Sequence, residues 1–138
     1  MTTYPGLSAV NVLAVGTGGA IGAVARYGVM ELLGSSDRSA FPWDTLAVNM
    51  AGSLLIGLFF RYYLAIDEDR RPDLQRLFFA TGLLGGFTTF STLSMDTVDL
   101  FRSGAWLSGM IYVAATLIGG LALAAFGYGL RRGDRAGV

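Results

Sequence analysis

The amino-acid sequence predicts an all-α membrane protein: four transmembrane helices in a single domain covering residues 1–138. Three observations predict it. Hydrophobic residues make up 53% of the chain, a share that suits lipid better than water. Four runs reach the roughly 20 apolar residues that a bilayer core requires, at about 7–33, 43–66, 74–101 and 106–130. The connections GSSDRSAFP, DEDRRPD and RSG are short and polar, and aromatic residues suited to the membrane interfaces flank the runs: Phe41 and Trp43, Tyr62 and Tyr63, Trp106 and Tyr128.

Composition excludes much. The chain has no histidine and no cysteine, which removes disulfides, thiolate metal sites and any triad or zinc centre built on imidazole. No catalytic constellation remains, and the protein is not read as an enzyme. All ten basic residues are Arg and they form no run, so nothing points to nucleic acid. The N-terminus lacks a basic segment of the signal-peptide kind, and three more spans follow the first; the sequence therefore predicts a multi-pass protein of the cell inner (plasma) membrane. With four spans, Arg61, Arg70, Arg71, Arg76, Arg131, Arg132 and Arg135 share one side and Arg26, Arg38 and Arg102 the other, which favours cytoplasmic termini.

The first span carries Gly18 and Gly22 four residues apart, with Arg26 toward its end. The spacing lets backbones approach closely. An arginine there either snorkels to the interface or borders an aqueous vestibule. The second span repeats the small-residue spacing at Ser53 and Gly57 and holds Asn49, an amide that serves as inter-helix glue or donates to an anion.

The third span is the most informative. Gly85 and Gly86 lie near its middle, followed by Thr88 and Thr89, and the helix is expected to break there. A break frees carbonyl oxygens that hydrocarbon cannot satisfy. Two readings stand side by side: a kink for close packing, or a site for a small monovalent cation. Phe87 and Phe90 either pack or turn positive ring edges toward a small anion, with hydroxyls of Ser91, Thr92 and Ser94 nearby. Asp96 and Asp99 fall toward the end of the span, as interface residues would. In the fourth span Ser108, Tyr112 and Thr116 make one polar stripe leading to Gly120. Ala115 and Gly119, and Gly120 and Ala124, again pair small residues four apart. Twenty glycines and so little enclosed volume predict a dimer, the alternative being that the glycines only pack the single chain.

The strings GGAIGAVARY (18–27), TLAVNMAGSLLIG (45–57) and above all GLLGGFTTFSTLSMDT (82–97) resemble the CrcB/Fluc family of fluoride channels over nearly the whole chain. The resemblance implies an antiparallel, dual-topology dimer with two fluoride paths along the subunit interface. It implies a structural sodium ion at the centre, held by the backbone carbonyls of Gly85 and Thr88 of each subunit. It places Asn49, Phe90, Tyr112 and Thr116 on the fluoride path and Arg26 near a vestibule. Leu93 stands where the family often has a second Phe, Asp96 where Glu is usual, and Gly120 where some members have a hydroxyl. The partner is a second copy or, given the arginine imbalance, an oppositely oriented paralogue.

The function expected is passive, fluoride-selective export of cytoplasmic fluoride, with membrane lipid as surroundings. The alternative is a proton-coupled exporter of the small multidrug type, which needs a membrane-embedded carboxylate; the third span offers only Asp96 and Asp99. A third class is a non-transporting assembly protein.

Overall fold

The computed structural model describes residues 8–34 and 41–129. The first residue of the first predicted span, Arg38, Leu130 and the C-terminal Arg131, Arg132 and Arg135 lie outside the described residues. Among the described residues every regular element is helical. Four helical segments are long and apolar enough to cross a membrane: Ala9–Leu33, Trp43–Tyr63, Asp73–Arg102 and Trp106–Gly129.

Helix α1 is Ala9–Leu33. It starts where Ser8 caps it, the hydroxyl accepting from the Asn11 N–H at 3.2 Å. Helix α2, Trp43–Tyr63, begins after Pro42 with Asp44 in its first turn, where a carboxylate complements the helix dipole. It ends three residues before the predicted limit of 66. There Arg71 donates to the Leu64 and Ile66 carbonyls, at 3.3 and 2.9 Å, and holds the chain in a turn instead. A single 3₁₀ turn, Glu68–Arg70, and Pro72 lead into the third span.

That span has two helical arms, α3 (residues 73–87) and α4 (Phe90–Arg102). Between them Thr88 (φ −78°, ψ 159°) and Thr89 (φ −148°, ψ 121°) have extended backbone. Most of α3, Arg76–Leu84, is wound as a π-helix. After α4 the chain reverses at Gly104, whose φ of +82° suits glycine, and the Ala105 N–H returns to the Leu100 carbonyl at 2.9 Å. Helix α5, Trp106–Gly129, contains a second π stretch at Ala115–Gly119.

The helices pack as two close pairs, α1 on α3 and α2 on α5, with α4 against the start of α5. Lipid supplies no hydrophobic drive between helices, so the contact must come from close backbone approach. Glycine makes that possible. A Cβ added at Gly18 or Gly22 would run into the carbonyl oxygens of Phe78 or Leu83, and one at Gly86 into that of Gly19. On the other pair, Gly57 lies against the Ala124 carbonyl and Gly127 against that of Leu54. These small residues are thus used inside one chain. The spacings at Gly18 and Gly22 and at Gly57 serve packing within one chain, and they bear neither for nor against a second copy.

The outer faces are apolar: Val24, Leu32, Ile118 and Leu121 are each at least 70% exposed, as side chains facing acyl chains are.

Candidate functional site

The site is built around Thr88 and Thr89. Asn49 reaches from α2 and grips Thr89 at both backbone groups: Nδ2 donates to the Thr89 carbonyl at 3.0 Å, and the Thr89 N–H donates to Oδ1 at 2.9 Å. The amide is therefore inter-helix glue, as one of its two readings had it. It keeps a further hydrogen, since Nδ2 carries two.

This grip has a consequence for the chain before it. In a continuous helix the Thr89 N–H would donate to the Gly85 carbonyl and the Thr92 N–H to that of Thr88. Here the first goes to Asn49 and the second to the Thr89 hydroxyl, which caps α4 at 3.1 Å. The two diverted donors belong to the carbonyls of Gly85 and Thr88. The Thr88 oxygen accepts instead from Arg26 Nη1, at 3.2 Å, across from α1. Gly85 and Gly86 differ: Gly86 packs on Gly19, whereas a Cβ at Gly85 would meet only the Ala80 carbonyl, at 3.8 Å.

An open groove of about 370 Å³ runs along this region. It brings together Asn49, Gly85, Thr88, Thr89, Phe90, Leu93 and Thr116 from the sequence reading. The Phe90 ring is 75% exposed, while Leu93 is buried and shared with the cluster of Leu100 and Tyr112. Gly52, Ser53 and Ile56 also line the groove; the sequence reading took Ser53 only as a packing position and passed over the other two. They lie three, four and seven residues after Asn49, so helical spacing from that amide was the available signal.

The other candidates lie off the groove. Tyr112 is fully buried and donates to Asp96 Oδ2 at 3.0 Å. Asp96 is accordingly held inside the bundle and not merely an interface residue. The Thr45 hydroxyl, also buried and not singled out above, sits beside this pair without a well-formed hydrogen bond. Ser91 and Thr92 cluster on the Thr89 hydroxyl at 3.2 and 3.0 Å. Ser94 donates to the Phe90 carbonyl at 3.0 Å and Thr116 to that of Tyr112 at 2.8 Å. The hydroxyl hydrogens of Ser94 and Thr116 are thus turned onto the protein's own backbone. Phe87 packs toward Gly52 and does not line the groove.

The family model described as CrcB-like protein, Camphor Resistance (CrcB), matches residues 13–128. The chain belongs to the CrcB-like family. Relatives named fluoride-specific ion channel FluC are similar over most of their length. That of Bordetella petrii is 48% identical, covering 85% of this chain and 88% of its own. One from Thermus thermophilus is 46% identical, covering 86% and 92%. That of Ruminiclostridium cellulolyticum is 43% identical, covering 78% and 82%. With four spanning helices, this CrcB-like chain is a multi-pass membrane protein.

Proposed function

We propose that the protein is a passive, fluoride-selective channel of the inner membrane. Fluoride leaves the cytoplasm through two pores along the interface of an antiparallel homodimer that holds a structural sodium ion. The observation that carries this reading is the 43–48% identity, over most of the chain, to relatives whose names specify fluoride.

The geometry of the groove supports it. Fluoride is small and strongly hydrated, so a pore must replace its water with donors that also let go. The groove offers neutral ones: the second Asn49 N–H and the edge of the exposed Phe90 ring. The hydroxyl of Thr116 can add a hydrogen only by releasing the Tyr112 carbonyl. An open groove with a bare phenyl ring is also what a second copy would close. We expect Phe90→Ile to slow fluoride efflux by about threefold to tenfold, for a ring-edge interaction of about 0.5–1.5 kcal/mol, with the dimer retained. Efflux assays on vesicles measure this; unchanged rates would remove Phe90 from the path.

The residues fit a hard monovalent cation. The Gly85 and Thr88 carbonyls have lost their helical donors, and both residues line the same groove; the Thr88 oxygen has a second lone pair besides the one Arg26 meets. Neutral oxygens of this kind suit sodium, and each copy would supply the pair. The ion would take up the oxygens' free lone pairs and tie the two copies together. Gly85→Leu tests the assembly: the side chain has room within one chain, so the variant should fold but run as a monomer by size-exclusion chromatography.

The whole reading is tested by efflux from vesicles containing only the purified protein. Fast fluoride loss without chloride loss is expected. Flux that requires a proton gradient and carries organic cations would replace the channel with an exporter, and no flux would leave an assembly role.

A further inference from the structure

We propose that Arg26 is a positioning residue of the pore: its guanidinium fixes the Thr88 carbonyl and so sets the course of the Thr88–Thr89 link, without touching the transported ion. The link consists of two extended residues between helical arms; the Thr88 N–H still closes on the Leu84 carbonyl at 3.0 Å, but the peptide unit that follows it makes no bond to its own helical arms. Asn49 grips Thr89 from α2. Arg26 grips the Thr88 carbonyl, in the peptide unit that also carries the Thr89 N–H, from α1, at 3.2 Å and across 62 residues of sequence. The Thr88–Thr89 peptide unit is therefore held from two different helices, its N–H by Asn49 and its carbonyl by Arg26, which leaves it little freedom to rotate.

The arginine is placed for this task. It lies within a spanning segment, where a charged side chain persists only if it has a specific partner or reaches water. Among the described residues the only ion pair is that of Arg76 with Asp73, so no described carboxylate neutralises Arg26. The oxygen it meets is one whose helical donor, the Thr92 N–H, has been diverted to the Thr89 hydroxyl. Removing the guanidinium would leave that carbonyl without a donor. It would also free the wall of the groove formed by Gly85, Thr88 and Thr89.

The effect on flux rests on the channel reading above; the effect on the backbone does not. The test uses the purified full-length protein in vesicles, with Arg26→Met and Arg26→Lys. Backbone hydrogen exchange at Thr89 and Thr92 is followed beside fluoride efflux, at low and high salt. In Arg26→Met, exchange at both amides should quicken by about tenfold or more, as loss of one charge-assisted hydrogen bond implies, and efflux should slow in step. Arg26→Lys keeps a donor on a long stem and should restore most of both. Unchanged exchange in Arg26→Met would overturn the proposal; if efflux then falls only at low salt, Arg26 acts as a charge that draws anions. Should Arg26→Met fail to fold, Arg26→Lys alone decides: near-wild-type exchange upholds the positioning role, fast exchange ends it. A wild-type protein that does not pass fluoride would sink the channel reading and leave the exchange comparison intact.

Discussion

Asn49→Ala will release Thr89 at its N–H and its carbonyl together, and will slow fluoride efflux more than any single change to the groove wall. The two hydrogen bonds are 2.9 and 3.0 Å long and buried. A buried polar group left without a partner costs about 1–3 kcal/mol, and alanine orphans two of them. Water cannot repair the loss as readily inside a membrane as at a soluble surface. The freed Thr89 N–H then has one nearby alternative, the Gly85 carbonyl, which would extend α3 by a residue and withdraw an oxygen from the groove. We therefore expect at least about a tenfold loss of efflux with a lowered melting temperature. Both come from the same backbone change. Loss of efflux with full thermal stability and unchanged exchange at Thr89 would mean that the amide acts on the ion alone.

The spans were legible in the sequence because length and hydropathy depend on residues near one another. Trp43 and Trp106 begin their helices where the sequence places them. The second span ends early because Arg71, seven residues further on, takes the Leu64 carbonyl, and no window of hydropathy reports that. The π turns in α3 and α5 were not legible either, since they arise from how each helix fits its neighbours.

At the site the sequence marked the right region and left several roles open. Gly85, Thr88, Thr89 and Phe90 stand in one string, so their grouping needed no tertiary knowledge. What Asn49 does was undecidable from spacing, because its partner is 40 residues away. The polar stripe of α5 divides for a similar reason. Thr116 faces the groove, while Tyr112 turns inward to Asp96, a residue of α4 that the stripe itself cannot reveal. Hydroxyls were read as donors from their type alone. Their hydrogens go first to carbonyls four residues back, as those of Ser94 and Thr116 do.

Gly22→Val should prevent the chain from reaching its folded form, because no movement of a side chain can make room. The atoms that a Cβ at Gly22 would meet are the carbonyl of Leu83 and the N–H side of Phe87, all backbone. Relief requires α1 to move off α3. That separates the partners Gly18, Gly82 and Gly86 as well, and pulls Arg26, one turn further along α1, away from the Thr88 carbonyl. Overpacking in a core costs about 1–3 kcal/mol when neighbours can shift, and here they cannot, so the cost should exceed that range. The matched control is Gly16→Ala on the same helix. It is exposed, has nothing within 4 Å of an added Cβ, and should gain about 1 kcal/mol of helix propensity. Melting in detergent, followed by helical circular dichroism, distinguishes the pair. If Gly22→Val melted like the wild type, α1 would not lie against α3 as described, and the contact that brings Arg26 to the Thr88–Thr89 link would have to be abandoned with it.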